Sequence, residues 1–155
     1  MTPYPSIAHP WIDSSLAPLY RVTFPASTSD DKLNRYCRAV EHWSTRVDFS
    51  VGWVMDLSRV SAVPAQQRAS FAKYMERMKS FDERWTQVCA LVLPNAMLRG
   101  VVTAIFWLYR PPFEPRAFAD VETALHWARS GLASASSHGL APDGVSIVPR
   151  PPLGS

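Results

Sequence analysis

Residues that could bind a ligand or take part in a reaction are gathered around the end of the apolar segment 51–57, which contains Asp56. In open α/β sheets, ligands bind at the carboxyl ends of the strands, so Asp56 is a natural candidate for a polar site. Arg59 and Arg68 could pair with its carboxylate or hold a phosphate. We favour a simpler interpretation, in which Asp56 accepts hydrogen bonds from the turn that follows it and both arginines are surface charges.

The patterns of known catalytic and metal sites are absent from the sequence. It contains no Gly-x-Ser-x-Gly, no glycine-rich phosphate loop and no histidines at metal-binding spacing. We therefore predict no catalytic residue, no metal and no cofactor. An enzyme that uses Asp56, His42 or Ser58 is a third hypothesis. Cys37 and Cys89 lie in apolar surroundings without a CxxC spacing, which predicts two buried thiols in a reducing compartment.

The composition predicts one packed domain and argues against several classes of protein. The chain has 155 residues, of which 47% are hydrophobic and 19% charged, and its formal net charge is +3. Because basic residues alternate with acidic ones, we expect no nucleic-acid partner. The longest apolar stretch, residues 100–109, is far shorter than the roughly 20 residues of a membrane span, and residues 1–10 lack the features of a signal peptide. A cytoplasmic protein without a transmembrane segment is expected.

Composition also divides the chain. Residues 1–9 are interpreted as an N-terminal extension and residues 10–132 as the folded domain. From residue 133 onward Ser, Ala, Gly and Pro dominate, which predicts a flexible tail over residues 133–155. The segment 148–153 within it has polyproline character and is either a solubilising end or a docking motif.

Strand and helix patterns alternate within the folded domain. The predicted strands are residues 19–24, 51–57 and 87–93, with short additions at 11–12 and 116–119. The predicted helices are residues 28–47, 64–85, 96–109 and 120–131. Helices that join strands in this way are crossovers, which implies largely parallel pairing. The sequence thus predicts an open α/β sheet of four or five strands, with about four helices mainly on one face.

Two segments connect this order of elements to a known family. They are Asp-Leu-Ser-Arg-Val at residues 56–60 and Phe-Ala-Asp-Val-Glu-Thr-Ala-Leu-His-Trp at residues 118–127. Together with the element order, they resemble the STAS domain, the fold of the bacterial anti-sigma-factor antagonists. The resemblance is closest to the bacterial STAS-like proteins grouped with the CRAL-TRIO lipid-transfer fold, and it covers residues 10–132. It implies a bacterial signalling module that regulates another protein by binding it.

The chain departs from the antagonists at the site of regulation. In that family the strand leads into an Asp-Ser-Ser-Gly-like turn whose serine is phosphorylated, whereas residues 61–67 here read Ser-Ala-Val-Pro-Ala-Gln-Gln. The acceptor serine and the glycine are absent, so the resemblance implies a docking scaffold around residues 57–68 without that phosphorylation switch. The implied protein-binding residues are Asp56, Ser58, Arg59, Ser61, Gln67 and Arg68.

Two functions follow as hypotheses. The first is a non-enzymatic, cytoplasmic regulatory module that binds a protein partner. The alternative is a CRAL-TRIO-like protein that binds a lipid or another apolar small molecule near the third predicted helix. That helix is apolar on most sides and is expected to be the most buried one, with Phe106, Trp107 and Tyr109 against the ligand. An unpaired edge strand and exposed aromatic residues would also permit a homodimer.

Overall fold

A computed structural model describes residues 4–138 of the chain. In this part, five strands and five helices follow one another along the sequence. They are β1 (Ile12–Asp13), β2 (Leu19–Thr23), α1 (Asp30–Ser44), β3 (Val51–Asp56), α2 (Ala65–Arg77), α3 (Lys79–Trp85), β4 (Thr86–Val92), α4 (Ala96–Leu108), β5 (Arg116–Phe118) and α5 (Val121–His138). The predicted open, largely parallel α/β sheet is confirmed.

The sheet has the strand order β1-β2-β3-β4-β5, so each strand lies beside the strands that precede and follow it in the sequence. Only β1 is antiparallel to its neighbour; the other three pairs are parallel. Parallel strands that advance in one direction through right-handed crossovers place all the connecting helices on the same face. Accordingly, α1, α2 and α4 pack on one face, and α5, which follows the last strand, covers the other.

The two faces are packed with side chains of very different size. Under α5 the sheet and the helix carry small residues, including Ala90 of β4 and Ala124 and Ala128 of α5, all fully buried. The opposite face carries a layer of aromatic rings, in which the centroids of Tyr20 and Trp43 are 4.8 Å apart. Small residues allow a helix to approach the strands closely, whereas bulky rings hold the helices away from them.

Local side chains account for where the long helices begin. The Ser29 hydroxyl accepts a hydrogen bond from the backbone N–H of Lys32 at the start of α1. Asn95 does the same for the N–H of Leu98 in α4, and Asp120 for the N–H of Thr123 in α5. Each cap satisfies a donor that a helix start leaves free, and such a cap contributes about 1 kcal/mol.

The structure corrects three sequence-based expectations about helices. The single helix predicted over residues 64–85 is two helices, because Met78, with ψ of 3°, interrupts it between α2 and α3. The fourth helix passes Gly131 and continues to His138, beyond the end of the domain predicted at residue 132. Residues 96–109 do not form the most buried helix. Only Leu98, Val102 and Ile105 of α4 are buried.

The beginning of the described chain belongs to the core. Ile7, which was assigned to an extension, is buried among the aromatic residues next to α1. The backbone carbonyl of Pro5 accepts hydrogen bonds from the Tyr20 hydroxyl at 2.8 Å and from Trp43 Nε1 at 3.1 Å. Part of the predicted tail, residues 139–155 with the polyproline segment, lies outside the described residues.

Candidate functional site

A cavity of about 150 Å³ lies between the sheet and helices α2 and α4. Its floor is formed by residues of β3 and β4 whose side chains point to the aromatic face, namely Trp53, Met55, Cys89 and Leu91. One wall is α2 with Phe71, Tyr74 and Met75, and the other is α4 with Val101, Val102, Ile105 and Phe106. Nearly all of these side chains are apolar, so the space suits an apolar molecule better than water.

The cavity extends along α2 toward the carboxyl edge of the sheet. Gln67 lies in the first turn of α2 and Met78 directly follows the helix, and both residues line the cavity. They are eleven positions apart, which corresponds to about 16 Å along an α-helix. Near Gln67 the lining includes Ser27 and Ala62, which are exposed. The cavity therefore opens between the segments that follow β2 and β3. Ser61 joins these segments through its backbone N–H, which donates to the Ala26 carbonyl at 2.9 Å.

The three residues predicted to contact an apolar ligand separate in the structure. Phe106 lines the cavity, and its contact with an apolar ligand stays a prediction. Trp107 is 83% exposed and points away from the core, which contradicts its predicted place against a ligand. Adjacent residues of a helix are rotated by about 100°, so a helix that turns Phe106 inward must turn Trp107 away. Tyr109 follows α4 and is not part of the lining, although its hydroxyl is buried and has no hydrogen-bond partner among the described residues.

One acidic residue lines the cavity, and the sequence analysis did not single it out. Asp82 lies on α3, and its Oδ1 accepts a hydrogen bond of 2.7 Å from the Thr86 hydroxyl. The Thr86 oxygen in turn accepts one of 3.3 Å from Trp53 Nε1. Burial raises the pKa of Asp82 to about 6, although the Thr86 hydrogen bond favours the ionised form. The sequence does contain a signal for this position, because Asp82 follows Phe71, Met75 and Met78 at the helical spacing of residues that share one buried face.

Asp56 is a structural residue rather than an open polar site. Its Oδ1 accepts a hydrogen bond of 2.9 Å from the backbone N–H of Ser58, the turn interaction that we favoured. Its Oδ2 is 3.6 Å from the guanidinium of Arg21, and the Asp56 side chain is buried. Side chains alternate along a strand, so Asp56 faces α5 with Val54, whereas Met55 faces the cavity.

The remaining residues predicted to bind a protein lie around the cavity mouth. Ser58, Arg59 and Ser61 are exposed. Gln67 is buried and engaged, since its Nε2 donates to the Thr28 carbonyl at 2.7 Å and to Asp30 Oδ1 at 3.0 Å. Arg68 donates to the Val63 carbonyl at 2.6 Å. Gln67 and Arg68 thus hold the mouth together.

His42 lies apart from the other two residues of the enzyme hypothesis. His42 lies near the end of α1, at the amino edge of the sheet, whereas Asp56 and Ser58 lie at the carboxyl edge. Cys37 and Cys89 are both free and buried, as predicted, and burial raises the pKa of both thiols so that they stay protonated. Among the described residues, no group of three His, Cys, Asp or Glu side chains could hold a metal ion.

Within the described part, no helix combines the length and the apolar character needed to cross a membrane. Comparison with protein-family models, with curated proteins and with solved structures finds no match to this chain.

Proposed function

We propose that this protein binds a small apolar molecule in the cavity between the sheet, α2 and α4. The observation that carries the proposal is the cavity itself, which measures about 150 Å³ and is lined by apolar side chains from several elements. We expect the cavity to bind its ligand without reacting with it. Among the described residues that line it, Asp82 is the only ionisable group that can carry a charge near neutral pH, because burial raises the pKa of Tyr74 and Cys89 and keeps them protonated.

The cavity opens at the surface between the segments that follow β2 and β3, so a molecule can reach its apolar lining. Moving an apolar molecule from water onto such a lining is favourable, by about 25 cal/mol per Å² of apolar surface buried. A ligand that fills the space restores the missing dispersion contacts, which favours binding.

The volume limits the size of the ligand. Engineered cavities of about 150 Å³ admit benzene, so a single ring or a short alkyl chain fits. Burial of about six carbons contributes about 5 kcal/mol, which sets the tightest dissociation constant at about 0.2 mM, because the association entropy must still be subtracted. A whole two-chain lipid is too large for this space.

Isothermal titration calorimetry with toluene tests the proposal. Val101 lines the cavity from α4, and Val101→Phe should fill part of it and weaken toluene binding at least tenfold. Thr103→Phe places the same ring on the exposed side of the same helix and should leave binding unchanged. If toluene does not bind the unmodified protein, or binds both variants equally, the cavity is not a ligand site.

A second candidate function is the regulation of a protein partner by a cytoplasmic, bacterial STAS-like module. The element order on which that resemblance rests is the order that we observe, which supports the proposal. The favouring observation is the exposed apolar surface on α4, where Met97, Trp107 and Leu108 are 49%, 83% and 59% exposed. Surface of this kind commonly marks an interaction site.

The chemistry of this surface indicates what could cover it. Arg99 and Arg110 are exposed near it, but Glu114 is exposed a few residues after it and Glu76 and Glu83 act electrostatically on Tyr109, so its charge is mixed. The fitting partner is therefore a protein segment with apolar side chains. A peptide library selected on the protein should yield such sequences, with binding lost in Trp107→Ser and kept in Thr103→Ser. Selected peptides without apolar side chains, or binding that survives Trp107→Ser, would contradict this proposal, and self-association would identify a second copy as the occupant.

A further inference from the structure

Asp82 is half-buried and adds a charged group to a cavity that is otherwise lined almost entirely by apolar side chains. Thr86 fixes its orientation: the Thr86 oxygen accepts from Trp53, so its proton is directed to Asp82 Oδ1. No hydrogen bond or ion pair to Oδ2 is present within the described residues. Half of the carboxylate is therefore free to accept a hydrogen bond from whatever enters the cavity.

No cation among residues 4–138 forms an ion pair with this carboxylate. Lys79, the nearest lysine in sequence, lies 3.8 Å from Glu83 instead. Arg77, which precedes α3, donates two hydrogen bonds to Oε1 of Glu41, from Nε at 3.1 Å and from Nη2 at 2.8 Å. An ionised carboxylate in apolar surroundings is unfavourable unless it is paired, and here the described residues supply only one hydrogen bond.

We propose that the natural ligand is a small amphipathic amine, whose ammonium group binds Asp82 while its apolar part fills the space between α2 and α4. The inference rests on the function proposed above and adds the chemical class of the ligand. An ammonium group donates a charge-assisted hydrogen bond to the free oxygen and supplies the missing counter-charge. An apolar molecule without a donor would leave the carboxylate unpaired.

The other ionisable groups around Asp82 do not compete with it near neutral pH. Tyr36 of α1, Tyr74 of α2, Cys89 of β4 and Tyr109 after α4 all interact electrostatically with Asp82. Burial raises the pKa of each of these hydroxyls and of the thiol, so they remain uncharged. Asp82 is then the one group that can attract a cation into the cavity from the described part of the chain.

Calorimetric titration with three ligands of matched size tests this inference. Benzylamine, benzyl alcohol and toluene share one ring and differ in the polar group. The unmodified protein at pH 8 should bind benzylamine about ten- to a hundredfold more tightly than benzyl alcohol, as a charge-assisted hydrogen bond predicts. Asp82→Asn keeps an acceptor for Thr86 and removes the charge. It should abolish the preference for the amine and preserve toluene binding, which also shows that the variant is folded.

A pH series on the unmodified protein provides a second measure that needs no variant. Lowering the pH from 8 to 5 protonates Asp82, so benzylamine affinity should fall about tenfold while benzyl alcohol affinity stays constant. His9, which packs against Tyr36 and has a pKa lowered by burial, is a possible second titrating group, and the Asp82→Asn variant isolates its effect. Equal affinity for the amine and the alcohol, with toluene still bound, overturns the amine proposal alone. Failure of all three ligands to bind overturns the cavity function itself.

Discussion

The Cγ1 atom of Val88 on β4 lies 2.8 Å from the position that a Cβ atom on Gly131 of α5 would occupy. Glycine is therefore required at this point, because it lets α5 approach the sheet. We expect Gly131→Ala to lower the free energy of unfolding by about 1–2 kcal/mol. The steric conflict of roughly 1–3 kcal/mol exceeds the gain of up to about 1 kcal/mol from the better helix former. Urea denaturation measures the difference.

Gly100→Ala is the matched control for this effect. Gly100 also lies within a helix, α4, but a Cβ there would meet no atom within 4 Å. Only the helix propensity then changes, so the substitution should stabilise the protein by about 0.5–1 kcal/mol. Two substitutions with the same sign would show that packing under α5 is looser than the structure indicates.

The partly buried carboxyl of Asp82 makes stability depend on pH. Its pKa rises from 3.8 in the unfolded chain to about 6 in the folded protein. Between these values the folded state binds more protons, so this group stabilises the fold at low pH, and that contribution is lost as the pH rises through about 6. The loss is on the order of 2–3 kcal/mol. Relative to the unmodified protein, Asp82→Asn should therefore gain stability from pH 4 to pH 8 in urea denaturation. If the difference in unfolding free energy between the two proteins stays constant across this range, folding does not raise the pKa of Asp82.

Trp43 and Trp107 allow the same substitution to be compared in opposite environments. Trp43 is 1% exposed and donates its Nε1 hydrogen to Pro5, whereas Trp107 is 83% exposed. Trp43→Ala should destabilise by about 3–5 kcal/mol, and Trp107→Ala should change stability by less than about 0.5 kcal/mol. Thermal unfolding of both variants checks this. A large effect at Trp107 would mean that α4 is covered by another surface in solution.

The segment before β1 should be needed for stability. Ile7 is buried, so Ile7→Ala should cost about 2–4 kcal/mol, whereas Ser6→Ala at the exposed neighbouring position should have little effect. A chain that begins at residue 10 should lose more, because Tyr20 and Trp43 also lose their acceptor on Pro5. Equal stability of Ile7→Ala and Ser6→Ala would restore the interpretation of this segment as an extension.

Most of the sheet could be predicted because its strands are recognisable without tertiary information. Residues 87–93 are apolar almost throughout, which is typical of a strand buried on both faces, and β4 is found at Thr86–Val92. Helix starts were also predictable, since Ser29, Asn95 and Asp120 act locally. The break at Met78 was not, because the apolar spacing of Phe71 to Trp85 continues across it.

The cavity could not be predicted from the sequence, because an empty space has no residue of its own. Its lining comes from residues that are distant in the sequence, such as Phe24, Met55 and Phe106, and each looks like an ordinary core residue. The expectation that the third helix would be the most buried failed for a related reason. Hydrophobicity on most sides predicts burial only if neighbours surround the helix. Here Trp107 and Leu108 remain 83% and 59% exposed.

The opening of the cavity also bears on the behaviour of the molecule under hydrostatic compression. Unfolding contracts a protein by part of the internal space that it eliminates, and about 150 Å³ corresponds to an upper limit of about 90 mL per mole. Because the cavity opens at the surface, water can share this space in the folded protein, so the contraction should stay well below that limit. A ligand that binds only the folded state should still raise the pressure of denaturation.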